Sequence, residues 1–181
     1  MTDKVQTDDA PPTTSKHGGE DGKGVARAVT INKPAAEVYA YFRDFANLPS
    51  FMDNIVRIDI LDHTRSHWVV KAPAGETVEW DARVTEDQPG RLIAWTSEEG
   101  ADVPNRGRVE FRDAGARGTV VTAIIDYDPP AGIVGKLIAK MFQREPAIQS
   151  RRDLRRLKQL LETGEVATSS WTKAQHEKEV A

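Results

Sequence analysis

"EWDARVTEDQPGRLIAW", Glu79–Trp95, holds two stretches of alternating apolar and polar residues on either side of a Pro-Gly turn. Period-two alternation turns one set of side chains toward a core and the other toward water. A short turn between two such stretches makes them a hairpin. On the first arm Val78, Trp80, Ala82 and Val84 share a face, and Glu79, Asp81 and Arg83 share the other. On the second arm Ile93, Trp95 and Ser97 go together. One tryptophan per arm, with the carboxylates on the opposite face, predicts a wall and not a catalytic device.

The same period extends in both directions. Strands are expected at Ile55–Leu61, Ser66–Ala72, Thr77–Glu86, Arg91–Ser97, Arg106–Arg112 and Thr119–Tyr127, with a further one at Val25–Ile31. Their short, turn-rich connections imply an antiparallel meander, and the longest, Glu98–Asn105, is a candidate pocket mouth. Between the first two strands lies "NKPAAEVYAYFRDFANLPSFMDN", Asn32–Asn54. There Val38, Tyr41, Phe42 and Phe45 fall at helical spacing, while Pro34 and Glu37 suit a helix start. Pro49 then permits only a second short helical turn, carrying Phe51 and Met52. After "DPP", Asp128–Pro130, a long helix is expected to about Glu162, with Pro146 kinking or restarting it. One apolar stripe on it contains Leu137, Ile138 and Met141, and another contains Leu154, Leu157 and Leu161.

The expected fold class is therefore α+β. A seven-stranded antiparallel sheet in the order β-α-α-β6-α wraps around the long C-terminal helix, the one element able to cover its apolar face. A sheet of that size twists, so the helix meets it unevenly and a cavity remains between them. Residues 24–162 form this domain. Residues 1–23, rich in Pro, Gly, Thr and Asp, are expected as a disordered tail, and residues 163–181 as a polar tail broken only by Trp171.

Composition narrows the chemistry. The 181 residues include no cysteine, which excludes disulfides, thiolate metal sites and Cys nucleophiles. The N-terminus has no apolar h-region and no apolar run approaches the roughly 18 residues of a membrane span, so a cytoplasmic location is expected. Formal net charge is −3. Residues 132–162 nonetheless hold eight basic groups against three acidic ones, +5.

Order and motifs together resemble the START-like superfamily of helix-grip proteins, also called SRPBCC, in its polyketide cyclase/dehydrase-like branch. The resemblance spans Val25 to Glu162 and rests on "PAAEVYAYFRDFANLPSFMDN", "HWVVKAPAGETVEWDARVTEDQPGRLIAW" and "IIDYDPP". It implies a cavity between sheet and helix. Members of that superfamily bind lipids, sterols, quinones or plant hormones, cyclise polyketides, or assist chaperones, so a shared cavity does not imply a shared chemistry.

Strand parity supplies candidate walls: Trp68, Trp80, Trp95, Val109, Phe111, Ile125 and Tyr127, faced by Leu137, Ile138 and Met141 of the helix. Any one of these aromatics could simply pack in the core; as a set they suit a cavity that grips a ring or an acyl chain. Tyr127 could donate a hydrogen bond to a ligand carbonyl or sit at the rim. The parity places no charged group inside, so no catalytic residue is assigned. The four histidines lack metal-ligand spacing and are expected in solvent; neither a metal nor another cofactor is expected. "GGEDGKG" lacks the pattern of a phosphate loop, and Ser170 with Lys173 lies in the polar tail.

The basic helix "QSRRDLRRLKQLL" carries Arg151, Arg152, Arg155, Arg156 and Lys158. It is a solvated outer face or a weak contact for anionic membranes. Without a recognisable binding motif, nucleic acid is not an expected partner. The expected function is binding of a hydrophobic small molecule, such as a lipid, a quinone or a polyketide-like compound. Two alternatives stand beside it: an aromatase/cyclase- or dehydratase-like enzyme, and an adaptor using the basic helix.

Overall fold

The computed structural model describes residues 25–72, 75–127 and 146–166. Seven strands form one antiparallel sheet: β1 (Val25–Ile31), β2 (Ile55–Ile60), β3 (Arg65–Lys71), β4 (Thr77–Gln88), β5 (Leu92–Ser97), β6 (Asn105–Asp113) and β7 (Thr119–Tyr127). Their spatial order is β1-β7-β6-β5-β4-β3-β2. Six strands follow the chain as a meander, and β1 closes against the last of them, from Val25 opposite Ile125 to Ile31 opposite Thr119.

Helix α1 (Ala35–Arg43) starts just after Pro34, whose ψ of 146° keeps it outside the helix as the cap. Lys33 pairs with Glu37 at 2.9 Å across the first turn. Asp44 ends α1 and accepts a hydrogen bond from the Ala46 N–H at 3.2 Å, opening a 3-10 helix (Phe45–Ser50) with Pro49 inside it. These two elements carry Val38, Phe42, Phe45 and Leu48 into the core, where Phe51, Ile93, Val109 and Val121 meet them.

Helix α2 (Pro146–Thr163) packs mainly against β1 and buries Leu154 and Leu157. Its basic side chains are largely engaged within the fold. Arg156 and Arg152 reach Asp53, the latter at 3.3 Å. Lys158 donates to the Thr30 carbonyl at 2.8 Å. Arg151 and Arg155 stay exposed. The stripe Leu137, Ile138 and Met141 lies outside the described residues, as do the expected tail 1–23 and residues 167–181.

One irregularity redirects a side chain. The β4–β5 register slips between Val84 and Glu86, so Thr85 is an extra residue on β4. A bulge of this kind reverses facing for everything beyond it. Asp87 therefore lies opposite inward-facing Ile93 and reaches α1. There Tyr39 donates its hydroxyl to Asp87 Oδ1, and Arg43 Nε donates to Oδ2 at 2.7 Å. Desolvation pushes the Asp87 carboxyl up, but the bonds from Tyr39 and Arg43 outweigh it and hold the group below the usual carboxylate range. Burial, then the bond to Asp87, pushes the Tyr39 phenol up to about 12.

Asp87 is a carboxylate with a lowered native pKa, so its stabilisation is present above the unfolded value near 4 and is lost as pH falls through the lower native value. Asp87→Asn is expected to destabilise the protein by about 1 kcal/mol at pH 7, a discount for its partial exposure. The gap to the native protein should close as pH drops below the ordinary carboxylate range. Urea titrations at pH 7 and at pH 3 check this; a gap of equal size at both would contradict it.

Candidate functional site

The inner wall forms where paired strands place their inward residues in rows. Trp68 lies directly opposite Trp80 across β3 and β4, and their rings stack with centroids 6.3 Å apart and planes 12° from parallel. Phe45 meets Trp68 edge-on at 5.8 Å. The Trp68 indole N–H donates to Ser66 Oγ at 2.9 Å, which satisfies its polar end within the sheet. Two rows along, Trp95 pairs with Gly107, and Gly107 with Ile125.

Gly107 is there for space. A Cβ at that position would sit 2.5 Å from Trp95 Cζ2 and 3.0 Å from the Ile124 carbonyl oxygen. The indole of Trp95 therefore lies over the bare backbone of Gly107, a common way for an aromatic to cover a strand glycine. Gly107→Ala is expected to push Trp95 off this seat toward the cavity. The near-ultraviolet circular dichroism and tryptophan emission should change, while far-ultraviolet circular dichroism stays intact. An unaltered tryptophan environment would show that the ring is not held by Gly107.

These residues enclose a cavity of about 60 Å³ between the sheet, the 3-10 helix and α2. Six of the ten expected wall residues line it: Trp68, Trp80, Trp95, Val109, Ile125 and Tyr127. Phe111 does not. It is buried one row further along, edge-on to Tyr39 at 5.7 Å and to Phe42 at 6.0 Å, so it seats α1. Leu137, Ile138 and Met141 fall outside the described residues.

The cavity is not wholly apolar. Asp153 of α2 is 4% exposed and lines it, together with Asn54, Asn105, Tyr127 and Ser150. This corrects the expectation that no charged group faces inward. The apolar stripe Leu154, Leu157 and Leu161, with arginines around it, does not by itself include Asp153. Asp153 stands four residues before fully buried Leu157 and three after Ser150, so helical spacing alone puts all three on the inner face. The Tyr127 phenol is pushed well above its ordinary pKa, first by burial and then by the Asp153 carboxylate. It stays protonated and able to donate at any physiological pH.

Two other expectations resolve on the outer face. Glu79 and Asp81 point away from the cavity, as parity requires. His67 is not simply solvated, because it lies half-buried between them, its Nδ1 2.8 Å from Asp81 and its Nε2 3.4 Å from Glu79. Among the described residues no cluster of His, Asp and Glu suited to a metal ion occurs. Among the same residues no helix is long and apolar enough to cross a membrane.

An open cleft of about 840 Å³ adjoins the inner cavity. The expected mouth loop forms one side of it, with Glu98, Glu99, Gly100, Ala101, Pro104 and Asn105, and Arg106, Asp126 and Tyr127 form another. Asn105 and Tyr127 belong to both spaces, so the two meet there. Asn105 is fixed by its own bonds: its N–H donates to Ser97 Oγ at 3.0 Å and its side chain to the Val103 carbonyl at 2.8 Å. Chemically, the arrangement is an aromatic clamp with a carboxylate acceptor within it and a hydroxyl donor at the passage to a polar cleft.

Known proteins share this arrangement of elements. The family model described as "Polyketide cyclase / dehydrase and lipid transport" matches residues 31–155. A solved structure from Deinococcus radiodurans is 43% identical, covers 79% of this chain and 99% of its own, and superposes with a TM-score of 0.65. The Zhui aromatase/cyclase from a Streptomyces species is 18% identical with a TM-score of 0.60, covering 80% of this chain and 99% of its own, a likeness of fold. An uncharacterized protein of Streptomyces lincolnensis is 28% identical over 148 residues, which is 81% of this chain and 95% of that protein.

Proposed function

The chain belongs to the polyketide cyclase/dehydrase and lipid transport family, and from that premise we propose that it binds a hydrophobic small molecule carrying one polar end. The observation that carries this reading is the inner cavity itself. Stacked tryptophans form its apolar wall, and Tyr127 and Asp153 add polar groups to its lining. A flat ring or acyl chain would lie against Trp68, Trp80 and Trp95. A carbonyl at its end would accept from Tyr127, and a hydroxyl would donate to Asp153. The lipid, quinone and polyketide-like classes all offer such a molecule.

Size sets a condition. About 60 Å³ holds only a few waters, whereas ligand pockets usually enclose about 300–1,000 Å³. Binding therefore requires the walls to part, with entry from the open cleft past Asn105 and Tyr127. Titration with a naphthoquinone, an anthraquinone and oleate, followed by tryptophan fluorescence, tests the reading. At least one should quench saturably, and Trp95→Ala should weaken it by tenfold or more. No saturable quenching by any of the three would overturn it.

A second reading follows from the inward acid. Asp153 on α2 and Tyr127 on β7 are a base and an acid lining one cavity, enough for proton transfer in an aldol-type cyclisation of a bound polyketide chain. Turnover of a poly-β-ketone mimic, lost in Asp153→Asn while its binding persists, would favour this enzyme. Binding without turnover favours the carrier.

A further inference from the structure

The sheet ends on β2, and this edge has an unusual surface. Val56 is 46% exposed, Ile60 54% and Leu61 48%, the exposed large hydrophobics of the described residues, all in one short segment. At the other end of the sheet, β1 has α2 packed against it. Charged side chains normally protect an open edge. Here they are one of each sign, Arg57 and Asp59, bonded to each other at 2.9 Å on the outer face.

The backbone shows which groups look outward. The Leu61 N–H donates to the Arg65 carbonyl at 3.0 Å, and the register pairs Asp59 with His67 and Arg57 with Val69. Bonded pairs alternate in an antiparallel ladder, so Arg57, Asp59 and Leu61 turn their backbone groups to β3. Ile58 and Ile60 turn theirs away from the sheet. Any strand added to this edge must bond to those two.

We propose that this edge pairs with a second copy of itself, β2 against β2 in antiparallel register about a two-fold axis at Ile58. That register places the free backbone groups of Ile58 opposite those of its counterpart, and Ile60 opposite Val56. On the outer face Arg57 of each copy then stands across from Asp59 of the other, and both attractions form twice by symmetry. Registers centred on Arg57 or Asp59 set like charges face to face. A register centred on Ile60 leaves both charges without a counterpart. Only the first arrangement combines opposite charges across the axis with Ile60 set against Val56. The bulge at Val56, where the β2–β3 register slips, limits the pairing to about five residues, so the association is reversible and concentration-dependent.

Sedimentation velocity on the full chain between about 5 and 500 µM tests this, at moderate salt where surface charge pairs still act. The native protein should show a monomer–dimer equilibrium. Arg57→Asp and Asp59→Arg should each raise the dimer dissociation constant tenfold or more. Both side chains are about half exposed, 56% and 51%, so neither substitution threatens the fold. The double variant, and an equimolar mixture of the two single variants, should recover dimer because opposite charges again face each other. A native protein that stays monomeric throughout overturns the proposal, and so does a dimer indifferent to either charge reversal. Ligand binding is read separately by fluorescence, so failure of one proposal leaves the other standing.

Discussion

Gly118→Ala is expected to lower stability by about 3 kcal/mol or more, a fall in melting temperature on the order of 10 °C for a chain of this size. Gly118 adopts φ +88°, a region that L side chains rarely enter. Conformation is the smaller part of the cost. A Cβ there would stand 2.1 Å from the Ile31 carbonyl oxygen, 2.6 Å from the Lys33 N and 2.7 Å from Asn32 Cα. All three are backbone atoms, so no side chain can swing aside. The turn between β6 and β7 is pressed against the end of β1 at the point where the chain leaves for α1. Thr119 fixes the same junction by donating its hydroxyl to the Lys33 carbonyl at 2.7 Å. Gly115 provides the control, because it has φ +62° and open space around its would-be Cβ. Gly115→Ala should cost only the strain of positive φ, about 1 kcal/mol. Thermal melts that place the two variants together would show that the close approach at Gly118 does not govern this junction.

Trp80→Ala carries the other large effect. Trp80 is buried, stacked on Trp68 and placed opposite it in the ladder, with Phe45 buttressing the pair. Truncating a core tryptophan costs about 3–5 kcal/mol, part transfer energy and part unfilled space. The space left would merge with the existing cavity of about 60 Å³ and have mainly apolar walls. Apolar cavities of this kind stay dry and accept small aromatics. Added indole should therefore raise the melting temperature of Trp80→Ala and leave the native protein unchanged. A loss below about 1 kcal/mol would mean that Trp80 is loosely held and acts as a movable gate.

Much of this architecture is legible in the residues because period-two alternation survives along most of the sheet. Val25–Ile31 and Thr119–Tyr127 have the expected strand limits, and the others differ by only one or two residues at their ends. Parity also groups Trp68, Trp80, Trp95, Val109, Ile125 and Tyr127, and all six line the cavity. It fails where the ladder itself changes. Nothing in "ARVTEDQ" announces a bulge at Thr85, yet that extra residue turns Asp87 inward to Tyr39 and Arg43. Phe111 has the right parity for the cavity, but its place along the strand puts it beneath α1. Row position depends on register between strands, which alternation within one strand does not contain. Asp153 is a different omission. Its spacing to Leu157 was visible, but an acid in an arginine-rich helix reads as part of the solvated face until packing buries it.

The extent of the cavity was also beyond the residues. Aromatics on a concave face imply a wall whether they enclose a wide pocket or nearly fill it, and here they nearly fill it. The central claim, a ligand gripped by that wall after it opens, is tested most directly by native mass spectrometry of freshly purified protein, with extraction of what co-purifies. The expected result is a stoichiometric adduct, identified as a hydrophobic molecule with a carbonyl or hydroxyl end and absent from Trp95→Ala. Its contradiction would be a protein that carries no adduct and gains none when incubated with naphthoquinone, anthraquinone or oleate.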